Sequence, residues 1–147
     1  MAAYDLAGEL GCAAFVTGPL MRLGRAAQDW DRIAPSEDQW RRAVEALRGR
    51  AGATRSPVAL SIYPWDIVTE MKLRLDSPQA MMLVVPNGKV KLLNALPFAP
   101  ADLRHASITE AWDAYRAAWR SDRVREFVGK CRSHPELLRH ANETWPV

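Results

Sequence analysis

Residues 81–131 constrain the fold more than any other stretch of this 147-residue chain. Asn87-Gly88 stands between two apolar runs, residues 81–85 and 90–93. An Asn-Gly pair accepts the positive φ angles of a type I′ turn, so the stretch predicts a β-hairpin. Ser107-Ile108-Thr109-Glu110 then reads as a capping box. The serine hydroxyl accepts an orphan N–H of the first turn, and the glutamate reaches back to the cap. Beyond the box, Ile108, Trp112, Tyr115 and Trp119 share one helical face, which predicts a helix packed on a core. A second short helix is expected over residues 122–128, ahead of Cys131.

The preceding residues alternate helix and strand. Residues 2–10 read as a helix ending at Gly11, a natural residue for the position after a helix. Residues 12–17 form an apolar run between Gly11 and Gly18. The run predicts a buried parallel strand with Cys12 in the core. A loop follows over residues 18–30. Ser36 and Gln39 make a second capping box, with Glu37 and Asp38 in the positive first turn. Trp40, Ala43, Val44 and Leu47 would be its buried stripe. Residues 49–56 read as a basic loop and 57–63 as a second strand. Residues 66–75 are ambiguous. Met71, Leu73 and Leu75 alternate as in a strand, whereas Ile67, Met71 and Arg74 suit a helix. An irregular crossing segment is expected there. This order belongs to the α/β class.

Apolar residues make up 48% and charged residues 25%, as in ordinary globular chains. No apolar run approaches the roughly 18 residues of a membrane span. The first residues carry acids and no basic flank, so no signal peptide is expected. Two cysteines do not make a disulfide framework, which suits a reducing, cytoplasmic setting. The net charge of +3 is spread along the chain, a weak footprint for nucleic acid.

In order and spacing, residues 81–131 resemble the C-terminal SPASM region of peptide-modifying radical SAM enzymes. That region runs strand, "pdG", strand, loop, "S-l-x-e-i-W", basic helix and cysteine. The matching letters here are Pro86-Asn87-Gly88-Lys89-Val90, Ser107-Ile108-Thr109-Glu110-Ala111-Trp112, residues 123–127 and Cys131. Upstream, Pro19 and Gly24-Arg25-Ala26 loosely match a "p-x-G-r-a" turn that follows a late barrel strand in the family. The resemblance implies the last β/α units of a partial (β/α) barrel over residues 1–78. A degenerate SPASM-like hairpin with C-terminal helices would fill residues 79–147.

The family's chemistry needs three cysteines at C-x3-C-x2-C spacing, whose thiolates hold a cluster and leave one iron open to S-adenosylmethionine. This sequence has only Cys12 and Cys131. The hairpin's second strand runs into Lys91-Leu92-Leu93-Asn94, where the family has a cysteine, and His134 stands three residues beyond Cys131 where it has another. The resemblance therefore implies a chain that is not catalytic alone. S-adenosylmethionine and a [4Fe–4S] cluster would come with a cluster-bearing N-terminal half, and the substrate would be a ribosomally made peptide. No Ser-His-Asp arrangement, phosphate-cradling loop or metalloprotease helix is legible.

Several residues carry two readings. Arg25 could hold a carboxylate or phosphate at the C-terminal end of a barrel strand, or be a solvated turn arginine. Cys131, His134 and His140 could bind zinc, with His105 as a fourth ligand, or be a lone cysteine near surface histidines. Trp65 could anchor a peptide or protein partner. Lys89 and Lys91, on the hairpin, could help bind a partner or guard the strand edge. The rival to a radical SAM subunit is a non-catalytic peptide- or protein-binding module using Trp65, Arg25 and the hairpin edge.

Overall fold

The computed structural model describes residues 2–53, 58–78 and 81–147. In chain order the elements are α1 (Ala2–Glu9), β1 (Ala14–Thr17), α2 (Arg25–Gln28), α3 (Trp30–Ile33), α4 (Glu37–Ala53), β2 (Ala59–Ile62) and α5 (Ile67–Asp76). Then come β3 (Leu83–Val84), β4 (Lys89–Lys91), β5 (Ala101–Asp102), α6 (Ile108–Ala118), α7 (Asp122–Lys130) and a 3-10 helix, Pro135–Asn142. Helix and strand are mixed and the sheets are small, in agreement with the α/β class. Among the described residues, no helix is long and apolar enough to cross a membrane.

Two compact units are present. One comprises Met1–Leu20 with Ile33–Asp66, the other Met21–Arg32 with Ile67–Val147. The last of the three divisions falls at 66/67, where the sequence reading placed its one boundary at 78/79, and residues 21–32 join the second unit.

In the first unit, α1 ends as its glycine dictates. Gly11 takes φ 70°, and its N–H donates to Gly8 while that of Cys12 donates back to Ala7 at 2.9 Å. This double closure is a Schellman motif. β1 and β2 pair in parallel, with Phe15 opposite Leu60 and Val16 opposite Ser61. Both strands alternate exposed and half-buried residues. The half-buried face holds Phe15, Thr17, Leu60 and Ile62. Tyr4 of α1 packs edge-on against Phe15 at 5.7 Å. Arg50 of α4 pairs with Asp5 of α1 at 2.8 Å. Val16 is 68% exposed on the opposite face, together with Ala14, Ala59 and Ser61. Ser36 and Gln39 form the expected reciprocal cap on α4. The helix runs on through residues 49–53, which were expected as loop. Residues 54–57, expected as loop and strand start, lie outside the described residues. The stripe on α4 is only half-buried at Trp40, Val44 and Leu47, and Ala43 is exposed.

Cys12 is exposed, which corrects its expected place in a core. The strand expected over residues 12–17 begins only at Ala14, and Cys12 lies before it, in the turn that closes α1, where its N–H donates to Ala7.

The second unit holds the core. α5 is a regular helix, which overturns the irregular crossing segment. It buries Ile67 and Met71, four apart, and carries the 2.6 Å ion pair of Arg74 with Glu70. Leu73, which suggested a strand, is 43% exposed. β3, β4 and β5 form an antiparallel sheet in that order, with β5 an addition to the expected hairpin. The turn is not type I′. Among the described residues only glycines take positive φ, so Asn87 does not, whereas Gly88 takes 81°. Gly88 N–H donates to Val85 at 2.9 Å and Val85 N–H to Lys89 at 3.0 Å. Pro86 fixes a negative φ at the first central position. The result is the pattern of a three-residue loop, a type I turn closed by a left-handed glycine bulge.

Ser107 and Glu110 form the full capping box on α6, and Ser121 caps α7. α6 buries Ala111, Tyr115 and Ala118, and Trp119, at its C-cap, is buried as well; Trp112 is half-buried and stacks on Tyr115. Ile108, expected on the buried face, is 59% exposed.

Candidate binding cleft

β4 is the central strand of its sheet, and this decides the fate of its lysines. An edge strand of alternating pattern would leave Lys89 and Lys91 in water. Here Lys89 is half-buried, and Lys91 is 3% exposed. The Lys91 ammonium donates to the carbonyl of Ala141, in the last turn of the 3-10 helix. Carbonyls there lack helical partners and favour a cation. Burial nevertheless pushes the Lys91 ammonium below the usual lysine range, because desolvation penalises the charged form. Lys89 reaches the carbonyl of Thr144 at 3.5 Å. The two lysines therefore tie β4 to the C-terminal segment, and neither acts as a free edge guard.

That segment is held in place by the core. Trp145 N–H donates to Pro97, and Ala99 N–H donates to Trp145, both at 2.7 Å. The Trp145 ring packs edge-on against Phe98 and Phe127 at 5.9 and 5.8 Å. Between the pinned tail and the hairpin lies a cleft of roughly 380 Å³. Leu83, Val85, Pro86 and Asn87 form the hairpin wall, Lys91 and Asn94 come from β4 and the following loop, and Asn142 and Thr144 come from the tail. Its size is at the small end of ligand sites. Among the described residues, no carboxylate lines it.

The other sequence candidates stand apart from this cleft. Cys131 caps the end of α7 and is fully buried. Burial first, and the nearby Glu136 carboxylate second, push its thiol up to about 11, which opposes the thiolate that zinc needs. His134 pairs with Glu136 at 3.1 Å and His140 with Glu143 at 2.7 Å. Among the described residues, no three His, Cys, Asp or Glu side chains form a metal-holding group. His105 is exposed. Arg25 is exposed at the start of the one-turn helix α2. Trp65 is 43% exposed in the first unit, edge-on to Tyr63 at 5.8 Å.

Asn94, Asn142 and Thr144 were not foreseen as site residues. Asn94 follows the apolar strand directly, and a polar residue there was the one local signal. Asn142 and Thr144 join the cleft only because the tail folds back on residues 97–99. No family model, curated protein or solved structure matches the chain.

Proposed function

We propose that this chain is the C-terminal part of a radical SAM/SPASM-type protein, active in ribosomal peptide modification only with a cluster-bearing N-terminal half. One observation supports the incomplete-barrel reading most directly. The β1–β2 pair is parallel and two-stranded, with Val16, Ala14 and Ala59 bare on one face. Parallel strands are stable when buried on both faces, and an open strand edge is a template for another strand. An additional β/α half would cover that face and extend that edge. The motif order in residues 81–131 is what supports the family reading. The test is anaerobic purification from the source cells, with iron and sulfide analysis and native mass. The reading requires iron and sulfide in equal amounts, in a species larger than this chain. A metal-free monomer, indifferent to every chain that carries C-x3-C-x2-C, contradicts it.

A second reading, a non-catalytic peptide- or protein-binding module, is favoured by the hairpin cleft. It needs no cluster, and direct binding of a peptide to the isolated chain tests it.

A further inference from the structure

Lys91, 3% exposed, is the one cation among the described residues that line the hairpin cleft, and none of them is an acid. An ammonium group has three hydrogens to donate. Ala141 accepts one, and this bond accounts for Lys91 as a cap on the 3-10 helix. No acceptor among the described residues takes the other two. A buried charge with open hydrogen-bonding capacity is costly, and an anion at that position relieves the cost.

The rest of the lining suits an anion that only accepts hydrogen bonds. Asn87, Asn94 and Asn142 each carry an amide that can donate, and Thr144 adds a hydroxyl. The Asn87 Oδ1 atom already accepts from the Lys89 N–H at 3.2 Å, which leaves its amide hydrogens for a ligand. Leu83, Val85 and Pro86 provide an apolar wall for an aliphatic stem. A carboxylate on a short carbon chain fits this combination. It pairs with Lys91, accepts from the amides and lays its methylenes on the hairpin.

We infer that the cleft binds a carboxylate carried by a peptide, as an acidic side chain or a free C-terminus. This inference names the ligand chemistry of the binding-module reading and rests on it. The carboxylate could also come from a small free acid, and the test separates the two sources.

Four probes are titrated into the isotope-labelled chain: Ac-Ala-Glu-Ala-NH2, Ac-Ala-Gln-Ala-NH2, Ac-Ala-Ala-Ala with a free C-terminus, and propionate. The signals followed are the side-chain amides of Asn94 and Asn142 and the Lys91 ammonium. The inference requires that one or both carboxylate peptides move these signals and bind about tenfold or more tightly than the Gln peptide. Propionate must bind more weakly than the better carboxylate peptide. Lys91→Met and Asn94→Asp must each weaken that peptide about tenfold. Asn94 is exposed, so Asn94→Asp retains a folded chain and repels the ligand even if Lys91→Met unfolds. Equal binding of the Glu and Gln peptides, with the free C-terminus no better, overturns the carboxylate while leaving the binding module standing. Propionate as tight as the peptides overturns the peptide source. Binding of none of the four overturns the inference, while the module reading is decided separately by binding of longer peptides.

Discussion

Val16 and Ser61 stand opposite one another on parallel strands, and both are exposed to solvent. The helices α1 and α4 cover only the other face of this pair. A β-branched residue at 68% exposure on a two-stranded sheet contributes little to the stability of the chain itself. Val16→Lys should therefore change the stability by no more than about 0.5 kcal/mol in a denaturant melt. A loss several times larger would mean that Val16 is already packed.

The hairpin turn rests on Gly88. Its φ of 81° suits glycine, and a Cβ there would come within 3.0 Å of the Arg104 side chain. Gly88→Ala should cost about 1–2 kcal/mol from the left-handed backbone alone. Arg104→Ala in the same chain should recover only the steric part. Full recovery in urea unfolding would show that the backbone angle is not the constraint.

The helix cap at Ser107 is the strongest local signal in the sequence, and its geometry is complete. Ser107 accepts from the Glu110 N–H at 3.3 Å, and Glu110 accepts from the Ser107 N–H at 2.8 Å. Ser107→Ala should destabilise the chain by about 1 kcal/mol. The mutant midpoint in urea measures this directly.

Trp119 is 1% exposed, and its buried indole N–H has no acceptor among the described residues. Trp119→Ala should cost about 3–5 kcal/mol through the cavity it leaves. Trp119→Phe removes the unpaired donor with part of the ring volume. Its cost should be smaller, because a buried unsatisfied group carries a penalty of about 1–3 kcal/mol that the phenylalanine does not. Equal losses for the two variants would contradict this.

The two cysteines should behave oppositely. Exposed Cys12 should react with a thiol reagent in the native chain, while Cys131 should react only on unfolding. The Cys131 thiol lies at about 11, against an ordinary value of 9.0. Its folded form thus keeps a proton that the unfolded form releases. This contribution to stability is complete below pH 9.0 and is lost as pH rises towards about 11. Comparing the wild-type pH profile with that of Cys131→Ala isolates it.

Features set within a few residues were legible in the sequence. The two capping boxes and the Gly11 terminus depend on side chains and angles three or four positions apart, and they formed as read. The hairpin was legible but its turn was not: Pro86 would flank an Asn87-Gly88 turn and has no N–H to close it, so the closing bond comes one residue earlier, from the Val85 N–H to Lys89. Burial was legible only where neighbours were local. Cys12 looked like core because the run it opens is apolar, yet the strand starts at Ala14 and Cys12 is spent in the turn that closes α1. Lys91 looked solvated because β4 alternates, yet β5 and the C-terminal tail enclose it. The α5 helix was obscured because Met71, Leu73 and Leu75 alternate by chance, and only packing distinguishes the two periods.

The central claim is that the bare face of β1–β2 is completed by a cluster-bearing half. Native mass of anaerobically purified wild-type chain beside Val16→Lys tests it most directly. The account predicts an iron- and sulfide-containing complex for the wild type, and a metal-free monomer of unchanged stability for Val16→Lys. A metal-free monomer for both, or an iron-containing complex that survives Val16→Lys intact, would contradict it.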